Sequence, residues 1–212
     1  TKAEYTEQAT SDAIKFYVDL QNNDWCPTQE QFANTSATEQ FFSGQGAMFF
    51  AGNWDLVNLC STYTDMNGKW DVAVLPKCPN PESGDGRAVI SNSVSYATAA
   101  EGKNKDTAMD FLKFLASEEG QKIQGESGVA IPAYNGLEDT WVNTFAEKGY
   151  DIHPENIIPM FDYSVKYVNN PSRPSWEPKV EQAVLDIYAG NTSVDDGIQN
   201  MQNIVTEAIA EE

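Results

Sequence analysis

The chain has 212 residues, 41% of them hydrophobic, with 5 Trp, 9 Tyr and 10 Phe; that is enough apolar side chain for one large domain or two small ones, and it excludes a disordered polymer. Its 32 acidic against 13 basic residues give a formal charge of −19, which repels phosphate backbones and anionic lipid surfaces, so no nucleic-acid partner is expected. The acidity reads as a heavily solvated surface.

The first element is a helix, because Ala13, Ile14, Tyr17, Val18 and Leu20 fall at helical spacing between Ser11 and Gln21. Ser36-Ala37-Thr38-Glu39 is a capping box, in which the serine oxygen accepts from the backbone three residues on and Glu39 reaches back. Gly44, after Phe41 and Phe42, suits the left-handed residue that closes such a short helix. Ala47-Met48-Phe49-Phe50-Ala51 is an apolar run between Gly46 and Gly52, which predicts a strand buried on both faces. A helix follows from Trp54 to Tyr63.

Trp70, Val72 and Val74 alternate with other residues until Pro76, which predicts a strand, and the Pro- and Gly-rich stretch from Cys78 to Gly86 predicts a loop. Ala88 to Ala97 is a further strand candidate, interrupted by Ser91-Asn92-Ser93. Asp106 to Ser117 carries Ala108, Phe111, Leu112 and Leu115 on one helical face, and Ser117 starts a second helix ending near Gly125 or Gly128. Leu137, Trp141 and Phe145 mark a helix before Gly149; Trp176, Val180, Val184 and Ile187 mark another before Gly190; Val194, Ile198, Met201, Val205 and Ile209 mark the last. Short strands among helices of this length predict an α/β architecture.

Cys26, Cys60 and Cys78 have no CxxC spacing and only His153 to join them, which argues against a zinc or dithiol site; they read as free, partly buried thiols, with a Cys60–Cys78 disulfide as the alternative open to a secreted protein. No apolar run approaches the roughly 18 residues that crossing a bilayer takes, and Thr1 is not followed by the basic and apolar segments of a signal peptide. Any export signal or lipid anchor is expected upstream.

Phe42-Ser43-Gly44-Gln45-Gly46-Ala47-Met48-Phe49-Phe50-Ala51-Gly52-Asn53-Trp54 resembles the segment of family 1 extracellular solute-binding proteins where a Gly, an Ala-Met pair and a Gly-x-Trp come in that order. Trp70-Asp71-Val72-Ala73-Val74-Leu75-Pro76, the block Asp110 to Gln121, Ile131-Pro132-Ala133 and Ala189 to Asp196 follow in the family's sequence, so the resemblance covers most of the chain from about Phe41. The family serves ABC sugar importers and includes the maltose-binding-protein-like members. The resemblance implies a type II periplasmic-binding-protein-like fold, two α/β lobes closing on a ligand, of which this chain is the C-terminal half. It would assign residues 1–80 to the first part of the C-terminal lobe, 81–130 to a crossover and segment of the N-terminal lobe, and 131–212 to the second part of the C-terminal lobe. Implied with it are a carbohydrate ligand, an oligosaccharide by expectation, delivery to ABC permease subunits, a monomer, and an extracellular or periplasmic location with a lipid anchor upstream. No cofactor and no metal are expected.

Sugar sites stack aromatic rings on C–H faces and set amides, carboxylates and hydroxyls on hydroxyl edges. Trp54 is the leading candidate, since the family's Trp after this Gly faces the cleft; a core Trp capping the helix is the alternative. Asn53 and Asp55 beside it could bond hydroxyls or cap the following helix. Ser91, Asn92 and Ser93 stand where relatives carry a ligand-facing loop with a Trp, which this sequence lacks; a strand bulge is the alternative. Trp176, before a helix start expected at Pro178, resembles a late aromatic of the sugar platform, with a core role as the alternative. Arg173 and Tyr134 complete the set, both also compatible with plain surface roles.

Two other functions are carried beside this one: a glycan-active enzyme with two carboxylates across its cleft, and a sensor or interaction module on the same fold. Nothing favours catalysis. His153 precedes Pro154 in a polar loop, Gly125-Glu126-Ser127-Gly128 lacks nucleophile-elbow spacing, and Gly44-Gln45-Gly46 lacks the rest of a dinucleotide or phosphate loop. The chain is therefore expected not to be an enzyme.

Overall fold

A computed structural model describes residues 2–81 and 84–211. Packing separates two compact units. The first holds the chain up to Phe49, the Pro79–Gly84 segment and Val168 onward; the second holds Phe50–Cys78 and Asp85–Tyr167.

In the first unit α1 (Gln8–Asn22) lies against the hairpin of α8 (Arg173–Tyr188) and α9 (Val194–Ala210), and α2 (Gln29–Asn34) and α3 (Ala37–Phe42) follow α1 in the chain. The core takes Val18 from α1, Ile187 from α8 and Ile198 and Met201 from α9, as helical spacing predicted, with Ala183 added and the predicted Val180 and Val184 partly buried against it. Gly197 lets α8 and α9 approach, because a Cβ there would run into the Ile187 side chain. Ser193 caps α9 by accepting from the Asp196 N–H at 3.1 Å, with Asp195 and Asp196 in the first turn where the helix dipole favours negative charge. Gln202 ties the start of the chain down: its side-chain oxygen accepts from the Tyr5 N–H at 2.8 Å and its amide donates to the Ala3 carbonyl at 3.2 Å.

The α8 start is corrected. The helix begins at Arg173 with Pro174 in its first turn, and Pro178 lies inside it, forgoing one helical hydrogen bond where an N–H is missing. The capping box at Ser36 forms as expected, with Glu39 N–H donating to Ser36 Oγ at 3.2 Å and Ser36 N–H to the Glu39 carboxylate at 2.9 Å. Gly44 is left-handed at φ +80°. The capping box of α2, on Thr28 and Gln31, went unread in the sequence.

The second unit contains α4 (Leu56–Thr62), α5 (Lys105–Leu115), α6 (Glu118–Ser127), α7 (Glu138–Glu147), and two short strands, β1 (Val89–Ser91) and β2 (Ser164–Lys166). The strands pair in parallel with Val89, Ile90 and Ser91 opposite Ser164, Val165 and Lys166. Leu56, Cys60, Trp141, Phe145 and Ile152 form the core. Trp141 is fully buried and satisfies its ring N–H on the Gly128 carbonyl at 3.0 Å, the left-handed residue that ends α6. Gln121, also buried, ties α6 to the end of α5 by donating to Leu115 O and to the loop beyond α6 by accepting from Ala133 N–H, both at 2.8 Å. The three cysteines are free thiols, with Cys60 buried and pushed up to about 11 by desolvation.

Three strand expectations change. Ala47–Ala51 is not a strand: Phe49 turns its ring onto Phe41 and Phe42, at 5.0 and 6.3 Å between centroids, and Met48 is 88% exposed. Trp70–Leu75 pairs in no ladder among the described residues, and at Val72 side chains take the backbone groups a neighbouring strand would use. Asp71 accepts from the Val72 N–H at 2.8 Å, and the Asn156 amide donates to the Val72 carbonyl at 3.2 Å. Of Ala88–Ala97, only Val89–Ser91 pairs. The Cys78–Gly86 stretch is a loop in its described part, Glu82 and Ser83 lying outside the described residues. Among the described residues the architecture is thus helix-rich with one small parallel sheet.

Candidate ligand-binding site

Asn53–Asp55 forms a single 3-10 turn in front of α4, closed by the Asp55 N–H on the Gly52 carbonyl at 3.0 Å. Leu56 and Leu59 bury the inner face of α4, which fixes the turn at the surface of the second unit. Trp54 is 52% exposed there, and its indole lies back over Gly52. It is outside the core cluster that Leu56 and Cys60 build, so the Trp is not a buried helix cap. Asn53 and Asp55 are half-buried on either side, and the Asp55 side chain makes no capping hydrogen bond to α4. An amide and a carboxylate residue thus precede and follow the exposed Trp in the chain.

Ser91 ends β1 opposite Lys166, and Asn92 and Ser93 follow it; all three are exposed. Ser91 is thus the last paired residue, and Asn92 and Ser93 lie past the strand end. Tyr134 is exposed in the turn between α6 and α7, its carbonyl accepting from the Leu137 N–H at 3.3 Å beside left-handed Gly136. These residues are carried on three different elements of the second unit.

Trp176 and Arg173 belong to α8 in the first unit. Trp176 is 8% exposed and packs with Val205 and Ala208 of α9, and its ring N–H donates to the Asn170 side-chain oxygen at 3.1 Å. Arg173 is engaged along its own helix, with Nε and Nη2 at 3.0 and 2.7 Å from Glu177 Oε1. Of the two candidate tryptophans, only Trp54 offers a ring surface to solvent.

One charged pair went unread in the sequence. Asp71 Oδ2 lies 2.7 Å from His153 Nδ1, while Asp71 Oδ1 accepts from the His153 backbone N–H at 2.8 Å. The side-chain hydrogen bond to Asp71, and then its charge, raises the His153 pKa from the ordinary value. Partial burial opposes the shift on Asp71, but the hydrogen bonds from His153 and Val72 outweigh it and lower the carboxyl. His153 is exposed yet ordered by this pair, whose members stand 82 positions apart with no local pattern linking them. Asn67 stitches the same two segments, accepting from the Asp151 N–H at 2.8 Å and donating to the Gly149 carbonyl at 3.0 Å. Among the described residues no group of three or more His, Cys, Asp and Glu is disposed to hold a metal, and no helix is long and apolar enough to cross a membrane.

The model of the bacterial extracellular solute-binding protein family matches residues 2–122. Among solved structures, UspC of M. tuberculosis is 20% identical, with a TM-score of 0.72 over 98% of this chain and 50% of its own. A sugar transporter from Rhizobium etli, in an open conformation, is 23% identical, with a TM-score of 0.68 over 96% of this chain and 52% of its own. The chain spans about half the length of these structures, and the likeness shows the fold: the α/β periplasmic-binding type expected from the resemblance, in part. No curated protein matches the chain.

Proposed function

The chain belongs to the bacterial extracellular solute-binding protein family, and from that premise we propose that it binds a carbohydrate, an oligosaccharide in particular, for delivery to an ABC permease. The observation that carries the proposal is Trp54: a half-exposed indole on a fixed turn, flanked by Asn53 and Asp55. An aromatic face meets the C–H side of a pyranose, and the flanking amide and carboxylate suit its hydroxyls. The Rhizobium etli structure, a sugar transporter, supports the carbohydrate over other solutes.

Ser91, Asn92, Ser93 and Tyr134 are proposed as further polar contacts, each exposed on an element of the same unit. Arg173 and Trp176 contribute, in this reading, by holding α8. The lobe assignment, 1–80 and 131–212 to one lobe and 81–130 to the other, is proposed on the family resemblance, as are a C-terminal position in a longer protein, a monomeric state and a lipid anchor. The fold family is one of binding proteins, and the reading is non-catalytic. Incubating the full-length protein with oligosaccharides tests this point: unchanged glycan is expected, and turnover would replace the proposal with a glycan-active enzyme. Loss of sugar binding in Trp54→Ala is expected, whereas unchanged binding of every sugar would remove the ring from the site.

A further inference from the structure

We infer that Gly52 is a positioning residue for the Trp54 indole: the missing side chain is what lets the ring lie on the backbone and hold one orientation. The backbone at Gly52 gives the first half of the argument. Its φ of −90° and ψ of 155° are extended values that any residue adopts, so glycine is not needed there for chain geometry. Gly44, eight positions earlier, is the opposite case: its φ is +80° and a Cβ would meet nothing within 4 Å. Conformation explains Gly44 and leaves Gly52 without a reason.

The indole supplies the reason. A Cβ built on Gly52 would overlap Cε2, Cζ2 and Cη2 of Trp54, atoms that all belong to the six-membered ring. That ring therefore rests on the Gly52 Cα. The turn fixes the separation of the two residues, since the Asp55 N–H closes on the Gly52 carbonyl at 3.0 Å. Any side chain at position 52 must then displace the ring, because its Cβ and the ring would take the same space. Trp54 stays half-exposed despite this contact, so backing on Gly52 orients the ring without burying it. An aromatic platform held in one rotamer loses less side-chain freedom when a ligand stacks on it. Calling this positioning for a ligand rests on the function proposed above; the placement of the ring does not.

The test reads the ring directly, by proton NMR of the full chain. The expected result is an upfield ring-current shift of the Gly52 α protons and cross-peaks from them to the six-membered ring of Trp54, with the shift lost in Trp54→Ala. In Gly52→Ala the cross-peaks between position 52 and the ring should disappear and the Trp54 indole N–H signal should move, while the Trp141 indole N–H, buried on the Gly128 carbonyl, stays in place and reports an intact fold. A double-mutant comparison adds a second readout: Gly52→Ala should raise the unfolding midpoint in Trp54→Ala, where only the lost chain entropy counts, and raise it less or lower it in the native background, where the methyl also meets the ring. An unshifted Gly52 in the native protein, cross-peaks that survive Gly52→Ala, or an equal midpoint change in both backgrounds would overturn the inference. Each of these outcomes is independent of whether a sugar binds, so a failed carbohydrate assignment and a failed role for Gly52 are told apart.

Discussion

The α8–α9 hairpin and helix α5 were equally plain as amphipathic patterns in the sequence, yet they end in different states. Along α8 and α9 the predicted stripes meet: Ile187 closes on Ile198 and Met201, with Ala183 beside it, and Gly197 allows the approach. Along α5 no residue is buried; Phe111 is 58% exposed and stacks with Phe114 of the same helix, at 6.4 Å between centroids. Periodicity thus determines that a helix forms and which face is apolar, while burial needs a second surface of matching shape. The stripe is a statement about one element, the core a statement about two.

Stability measurements by urea unfolding can break this contrast. Met201→Ala, at a site with no exposure, should cost about 2–5 kcal/mol, whereas Phe111→Ala should stay within about 0.5 kcal/mol. Comparable costs at the two sites would mean that α5 is covered after all. Gly197→Ala sharpens the hairpin side: the added methyl meets Ile187 and should cost about 1–3 kcal/mol through overpacking, even though alanine gains about 1 kcal/mol of helix propensity. A net stabilisation would show that the helices can part. Ser36→Ala removes a side-chain acceptor from an exposed helix start and should cost about 1 kcal/mol, with Ser36→Gly costing less.

The smallest effect is a pH dependence confined to the second unit. His153 has a raised pKa, so its pairing contributes fully below its ordinary value of 6.5 and is lost as pH rises through the higher folded value. Asp71 has a lowered pKa, so its share is present above its ordinary 3.8 and lost as pH falls through the lower folded value. Comparing the pH–stability profiles of the native protein and His153→Gln should show a difference largest between these two pH values and shrinking on both sides. A constant difference would sink the ion-pair account.

Much of this was legible from the sequence because it is local. Capping at Ser36, the left-handed Gly44, the start of α6 at Ser117 and the stripes of α7, α8 and α9 each depend on residues within a few positions of one another. The strands were less legible, because pairing is not local. Ala47–Ala51 had the composition of a buried strand, but Phe49 found Phe41 and Phe42 instead of a ladder neighbour, and β2 carried too little pattern in three residues to be seen. At the candidate site the sequence singled out both Trp54 and Trp176 without deciding between surface and core. Packing decides it: Trp176 faces α9, while Trp54 stands on the turn before α4, the helix whose inner face Leu56 and Leu59 fill. The Gly-x-Trp spacing was also present in the sequence, but the backbone angles give no reason for the glycine, and only the overlap of the indole with a Cβ at position 52 does.

Carbohydrate recognition through Trp54 is tested most directly by titration calorimetry of the full-length protein against a panel of glycans, amino acids and inorganic phosphate, with Trp54→Ala run in parallel. Saturable heat for at least one oligosaccharide, abolished or strongly weakened by the substitution, is the predicted result. Heat for an amino acid or for phosphate with none for any sugar would contradict it.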